Sequence, residues 1–312
     1  MIWLIGSGPM GIAYANVLMA QKIEFLTIGR SESSAHSFQE KVGHTVISGG
    51  LNQFLASNPE PPSKAIVAVS VEQLAKTTTA LIEYGVNNIL VEKPGGLNKK
   101  EIEKIAELSS KKMADVFVAY NRRFYSSVLK AKSIIHDDGG VTSFNFEFTE
   151  WGHIINSIKK APNVKENWFF ANSTHVVDLA FFLGGTPKEI SCYTSGSLPW
   201  HTRAAAFTGA GQTGSGALFS YQANWSAPGR WALEVSTTHH RLYFSPLEEL
   251  RIQKTGSVSV EEVEIDDELD KKFKPGLYRQ VESFISNNNE LYTIQEQAMA
   301  MRQYQSILGG IR

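Results

Sequence analysis

"MIWLIGSGPMG" (residues 1–11) decides how the rest of the chain is read. Ile2–Ile5 is an apolar run with the length and composition of a buried strand. Gly6-Ser7-Gly8-Pro9-Met10-Gly11 follows at once, and Met10–Ala20, rich in Ala, Met and Leu, has helical character. A strand, three glycines at this spacing and a helix form the context of a phosphate-cradling turn. Gly6 permits the tight turn, Gly8 lets the backbone approach a pyrophosphate, and Gly11 lets the helix pack closely on the strand. N–H groups at the helix start face the phosphates. Pro9 donates none, but it stands where a donor is dispensable. A turn that binds nothing is the alternative, and the sequence behind it favours the cradle.

That sequence alternates strands and helices. Ile23–Ile28, Ala65–Val69, Ile89–Val91 and Val116–Ala119 read as strands. Ser33–Val42, Val71–Tyr84 (ended by Gly85) and Lys99–Lys112 read as helices, the last with Ile102, Ile105, Ala106 and Leu108 on one face. This pace means βαβ units and a parallel sheet. The rhythm changes near Tyr120. Phe124–His136 reads as a connecting helix, and Val141–Phe148 alternates apolar and polar residues like a strand with one wet face. Gly216–Tyr221, Trp231–Ser236 and Leu242–Phe244 repeat that pattern between glycine-rich breaks, which predicts an antiparallel sheet. Leu277–Ile285 and Ile294–Leu308 are helical again. The expected fold is α/β in two domains. Residues 1–120 form a dinucleotide-binding Rossmann domain with a doubly wound parallel sheet. Residues 121–312 form a substrate-binding and oligomerisation domain with a large, mostly antiparallel open sheet, and the C-terminal helices pack back on the first domain.

Composition narrows the function classes. The 312 residues carry a formal net charge of -1, so no electrostatic argument favours nucleic acid or an anionic membrane. A single cysteine, Cys192, excludes an internal disulfide framework and fits a reducing compartment. No Cys or His pair has zinc-site spacing, so no metal is expected. No basic leader precedes the first strand, and the apolar runs fall far short of the roughly 20 residues of a membrane span. A cytoplasmic protein is expected.

Two strand ends refine the ligand. The second strand ends Ile28-Gly29-Arg30-Ser31, with no carboxylate for a ribose 2′-hydroxyl. Arg30 can stack on adenine and pair with a 2′-phosphate, and Ser31 can donate to it, while Glu32 falls on the helix start. NADP(H) is therefore the expected cofactor and NAD(H) the alternative; a solvated loop arginine is the plainer reading of Arg30. The other strand end is Asn88-Ile89-Leu90-Val91-Glu92-Lys93-Pro94. It delivers Lys93 to the sheet edge where open α/β folds bind ligands. A surface ion pair of Lys93 with Glu92 is the alternative.

With these stretches in hand, the chain resembles the Gfo/Idh/MocA family of NAD(P)-dependent sugar and inositol dehydrogenases over nearly its whole length. The resemblance rests on the GSGPMG turn, the VEKP strand end, Tyr120-Asn121-Arg122-Arg123-Phe124, and Asn172-Ser173-Thr174-His175-Val176-Val177-Asp178-Leu179. It implies that Lys93 lies beside nicotinamide and substrate and that His175 is the acid/base, the two meeting across a cleft between the domains. Histidine titrates near working pH, as removal of a hydroxyl proton requires. Asp178 would orient the ring or belong to a structural network. The cofactor set is then Gly6, Ser7, Gly8, Pro9, Met10, Gly11, Arg30, Ser31, Ser70, Glu92 and Lys93. The substrate set is Asn121, Arg123, Trp151, Asn172 and His175, with Trp151 at a strand end offering an aromatic face to a pyranose. Trp200, His201 and Trp225 are assigned to sheet packing or subunit contact. The Lys93–Pro94 bond is expected to be cis. The chain departs from the family at Ala171, where many members carry an aspartate, and at Ser70-Val71-Glu72, where many read Thr-Pro-Asn. The implied activity is hydride transfer to or from a secondary alcohol or ketone of a sugar, inositol or nucleotide sugar. Its small-molecule partner is a sugar or polyol, and the chain would form a homo-oligomer through the C-terminal sheet. Two other readings stand beside it: a cofactor-binding regulator of the same fold without turnover, and a reductase of an imine, an enone or a small aldehyde.

Overall fold

A computed structural model describes residues 1–287 and 290–310. The chain forms two compact units, Met1–Asn121 with Leu269–Ala300, and Arg122–Glu268 with residues 301–310.

The first unit runs β1 (Ile2–Ile5), α1 (Pro9–Ala20), β2 (Phe25–Ile28), α2 (Glu32–Val42), β3 (Val46–Ile47), α3 (Gly50–Ala56), β4 (Lys64–Val67), α4 (Val71–Tyr84), β5 (Asn88–Glu92), α5 (Lys99–Lys112) and β6 (Asp115–Ala119). Its strands are parallel and ordered β3-β2-β1-β4-β5-β6. This is the doubly wound order, whose direction reverses between β1 and β4 and leaves a ligand crevice at the strand C-termini there. All four residues of β1 are buried, which is why the first stretch is apolar without alternation.

The helix α4 has the predicted limits and closes on Gly85 in the left-handed region at φ 98°. The helix α5 also has the predicted limits, fixed at its start by the Asn98 N-cap and by Glu101, which reaches back to the residue before it. The Glu101 N–H donates to Asn98 Oδ1 (3.2 Å), and the Leu97 N–H donates to Glu101 Oε2 (2.8 Å). Its buried face is Ile102, Ile105, Ala106 and Ser109, and Leu108 is only half-buried. Ser109 stands seven residues after Ile102 and so shares its face, whereas Leu108 is turned about 100° away. The serine is tolerated there because its hydroxyl donates to the Ala106 carbonyl (2.9 Å) and accepts from Gln295 (2.9 Å). Two elements escape sequence reading: β3 is too short to show a period, and α3 buries no residue completely.

The second unit holds α6 (Ser126–Asp137), β7 (Ser143–Phe148), α7 (Gly152–Ser157), α8 (Thr174–Gly184), β8 (Pro187–Ser195), β9 (Ala206–Thr213), β10 (Leu218–Asn224), β11 (Trp231–Ser236), β12 (His240–Phe244), β13 (Arg251–Lys254) and β14 (Val260–Glu262). Its eight strands are ordered β14-β13-β12-β11-β7-β10-β9-β8, antiparallel except where β7 meets β10. One face is aromatic. Phe144, Phe146, Phe219 and Tyr221 stack across β7 and β10, and Phe181 of α8 meets Phe144, Phe146 and Phe219 edge-on. The alternating residues Ser143, Asn145 and Glu147 lie on the other, wetter face. Cys192 is a buried cysteine of β8 that forms no disulfide. The chain closes with α9 (Glu268–Lys272), α10 (Leu277–Ile285), β15 (Tyr292–Thr293) and α11 (Ile294–Gly309), and β15 adds antiparallel to β6. No helix among the described residues is long and apolar enough to cross a membrane.

Backbone meets backbone at the glycine turn. Gly6 lies at φ 120°, and a Cβ there would stand 2.4 Å from the Ala68 carbonyl oxygen. A side chain is excluded both by conformation and by space. Gly6→Ala should therefore destabilise the first unit by about 1–3 kcal/mol or more, read as a lower urea midpoint at unchanged slope.

Candidate active site

In the first unit, the predicted ligand residues collect at the C-terminal ends of β1, β2, β4 and β5. Gly8 is the N-cap of α1, and Pro9 occupies its first turn. A Cβ on Gly8 would meet nothing within 4 Å, so the backbone here is open to an incoming group. A Cβ on Gly11 would lie 2.0 Å from the Gly6 carbonyl oxygen, which holds the start of α1 against the turn. Ser7 is buried and its hydroxyl pairs with that of Ser34 (2.9 Å). Arg30 is exposed at the end of β2. Ser31 caps α2, accepting from the Ser34 N–H (3.3 Å) and donating to the Ser34 hydroxyl (2.9 Å). Ser70 precedes α4 and donates to Glu72.

The β5 end is tied to the turn from above. Glu92 Oε1 accepts from the buried Tyr14 hydroxyl of α1 (2.7 Å). Burial and then the Glu92 charge push the Tyr14 phenol well up, so it stays a donor. Lys93 follows, half-buried, and its bond to Pro94 is cis, as expected. The Pro94 carbonyl accepts from Gln297 (3.0 Å). Asn121 is also in this unit, buried, with its amide donating to the Pro275 carbonyl (2.9 Å).

In the second unit, the predicted residues gather around the start of α8, which a π-helical turn, Phe169–Ser173, introduces. His175 is the second residue of α8, 8% exposed, with its ring 6.1 Å from that of Trp231. Asp178 stands one turn on and takes Arg123 as a fork, Nε to Oδ2 at 2.8 Å and Nη2 to Oδ1 at 2.5 Å. Both side chains are largely buried, and the Arg123 guanidinium also lies over Phe182. Arg123 and Asp178 are thus each other's charge partners.

Asn172 donates to both carboxylate oxygens of Glu150 (2.9 and 3.0 Å), and the Ser173 hydroxyl donates to Oε1 (2.8 Å). Glu150 is 2% exposed, and Arg230 stands 3.7 Å from its Oε2. Burial pushes its carboxyl up, against the pull of Ser173, Asn172 and Arg230. Arg230 lies over the Trp231 ring (4.6 Å) and the Trp151 ring (5.0 Å), and Arg122 lies over Trp231 as well (4.7 Å). Burial pushes the Arg122 guanidinium down from its ordinary value, with the Arg230 charge adding to that effect and Tyr125, Glu248 and Glu150 opposing it. Trp151 is half exposed and donates its indole N–H to the Gly229 carbonyl (3.1 Å), so it is not a core residue. It lines a recess of about 610 Å³ with His153, Leu198, Trp200 and Trp225. Trp200 and Trp225 are buried and stacked at 5.5 Å, and His201 packs edge-on to Trp225, an aromatic cluster inside this unit.

Four residues of this cluster, Arg122, Glu150, Arg230 and Trp231, carry charge or a donor yet are absent from the sequence-based site. Arg122 lies within a quoted motif, and Glu150 stands just past the alternation of β7, beside Trp151. Nothing in the sequence marks Arg230 as their neighbour. Among the described residues, no cluster of three or more His, Cys, Asp or Glu side chains could hold a metal ion.

No family model and no curated protein matches the chain. Solved structures do. A Desulfitobacterium hafniense protein proposed to be an NADPH-dependent oxidoreductase superposes with TM-score 0.80 at 16% identity, over 98% of this chain and 94% of that one. UDP-N-acetylglucosamine 3-dehydrogenase of Acidithiobacillus ferrooxidans gives 0.74 at 13% identity, over 99% and 97%. Levoglucosan dehydrogenase, in complex with NADH and levoglucosan, gives 0.77 at 17% identity, over 98% and 95%. At these identities the likeness establishes the fold: a Rossmann-type unit joined to a large mostly antiparallel sheet, along the whole chain.

The Arg123–Asp178 pair should behave as a structural tie. Asp178→Asn leaves a buried guanidinium without its counter-charge and is expected to cost about 3–5 kcal/mol in urea unfolding. Replacing both, as Arg123→Met with Asp178→Leu, should cost less than Asp178→Asn alone.

Proposed function

We propose that the chain is an NAD(P)-dependent dehydrogenase or reductase of the Gfo/Idh/MocA type. It would move hydride to or from a secondary alcohol or ketone of a sugar, inositol or nucleotide sugar. The observation that carries this reading is the glycine turn placed where the strand order reverses, with Lys93 delivered by the neighbouring strand end. The residues fit a dinucleotide: Gly8 leaves its backbone open at the N-terminus of α1, where N–H groups suit a pyrophosphate. Two of the similar structures are dehydrogenases whose names specify a sugar or a nucleotide sugar, which supports the same substrate class here.

The nicotinamide, when bound, takes up or delivers the hydride. The chain supplies the rest. Lys93 polarises the reacting oxygen. His175 accepts the hydroxyl proton during oxidation and returns it during reduction. Arg30 favours the 2′-phosphate of NADP(H) at the end of β2, and it does so largely alone, since the Ser31 hydroxyl already donates to Ser34. The aromatic face of Trp151 suits the C–H face of a pyranose.

His175→Ala should lower kcat by about 10²–10⁴-fold and keep NADPH affinity, and Lys93→Ala should lower it comparably. Stopped-flow absorbance at the reduced nicotinamide band, with a panel of pyranoses, measures both. NADPH binding with no hydride transfer to or from any of the panel would favour the regulator reading.

Arg30→Ala should weaken NADPH about tenfold or more, the worth of a charge-assisted contact, and leave NADH affinity nearly unchanged. Titration calorimetry with the two cofactors decides this, and equal wild-type affinity for both would remove the NADP(H) preference.

A further inference from the structure

The cluster around Trp231 is rich in donors, and the nearby carboxylates Glu248 and Glu150 act on Arg122 through their charge without a hydrogen bond to its Nε. Arg122 and Arg230 both lie over its ring, at 4.7 and 4.6 Å. Neither guanidinium has an acceptor atom of its own, and the indole is a donor only. Arg122 Nε is buried and makes no hydrogen bond, and so is the Trp231 indole N–H, on a residue 7% exposed. Buried donors are ordinarily paired, and an orphaned one costs about 1–3 kcal/mol. Two of them stand on side chains that meet at the Trp231 ring, with the Arg230 guanidinium over the same ring.

Glu150 does not answer that demand. Its two oxygens are taken by Asn172 and Ser173, and it reaches Arg230 only at 3.7 Å, beyond hydrogen-bond length. Asp178 is already forked by Arg123. One more negative group would pair the free donors and relieve the repulsion between the two guanidiniums. The His175 ring lies 6.1 Å from Trp231, so that group would bind beside the proposed acid/base.

We propose that the compound oxidised or reduced here carries an oxyanion, a carboxylate or a phosphate, seated on Arg122, Arg230 and the Trp231 indole N–H. This narrows the sugar class to acidic sugars or sugar phosphates, and it rests on the reading of the chain as an alcohol dehydrogenase using His175.

The test uses the full chain saturated with NADPH and three probes of one ring size: D-glucose, D-glucuronate and D-glucose 6-phosphate. Titration calorimetry reads binding without turnover, so it reports on the anion seat even if no hydride moves; turnover is followed separately and judges the enzymatic reading. At least one anionic probe should bind about tenfold or more tighter than glucose, and which one does so identifies carboxylate or phosphate. Arg122→Gln and Arg230→Gln should each collapse that ratio towards one. Trp231→Phe, which keeps the ring and removes the donor, should reduce it by a smaller factor. Circular dichroism melts identify any variant that fails to fold, and Arg122→Lys, which keeps the charge but loses the fork, then replaces Arg122→Gln and should give an intermediate ratio. Equal wild-type affinity for the three probes, or no binding of either anion, overturns the proposal. So does a ratio untouched by both arginine variants. A loss confined to NADPH affinity in Arg122→Gln overturns it too, since the seat would then belong to a cofactor phosphate.

Discussion

The first unit depends on two backbone approaches that no side chain would allow. At Gly11 the start of α1 lies against the Gly6 carbonyl, and at Gly6 the turn lies against the Ala68 carbonyl beyond β4. Together they lock β1, α1 and β4 where the strand order reverses. Other placements follow from this one. Because α1 sits so low on the sheet, its Tyr14 reaches Glu92 at the end of β5. That contact fixes the strand end from which Lys93 emerges. The glycines therefore position a lysine more than eighty residues away in sequence, through a helix and one hydrogen bond.

The second unit is governed by a different constraint, the pairing of buried charge. Its aromatic interior offers little solvation, so each ionised group near α8 needs a named partner or a donor set. Asp178 is satisfied by Arg123, and Glu150 by Asn172 and Ser173 with Arg230 at longer range. The pairing occupies the oxygens of Asp178 and Glu150, while Arg122, which also feels the Glu248 charge, keeps a buried Nε without a hydrogen bond.

Much of this architecture was legible in sequence because it rests on short-range signals. The limits of α4 and α5 follow from an apolar period bounded by a glycine in one case and an asparagine N-cap in the other. The antiparallel sheet followed from alternation at Val141–Phe148 and Trp231–Ser236, where one face is aromatic and the other wet. What escaped had no such signal. A two-residue strand, β3, has no period, and Ser109 replaced Leu108 on the buried face because rotation about the helix, rather than hydropathy, decides which side chain points inward. Site residues divide the same way. Gly6, Gly8, Gly11 and Lys93 announce themselves by spacing or by a strand end. Arg123 is expected from sequence as a substrate contact, and its fork with Asp178 is formed only once α8 and the segment after β6 are brought together by folding.

Ala171 shows why a site cannot be judged along one helix. The sequence has no carboxylate at that position, four residues before His175. Folding places Glu150, from beyond the end of β7, against Asn172 and Ser173, the two residues that follow Ala171. A carboxyl group is therefore present at the start of α8, contributed by the segment after β7 instead of the helix. Its environment also sets its character. Burial raises its proton affinity, so it retains its proton to higher pH than an exposed glutamate, while three hydrogen bonds from Asn172 and Ser173 and a distant Arg230 hold the charged form within reach. A helical aspartate open to solvent would ionise more readily. The carboxyl group at this locus is buried, reluctant to ionise, and fixed by neighbours that the linear sequence keeps more than twenty residues apart.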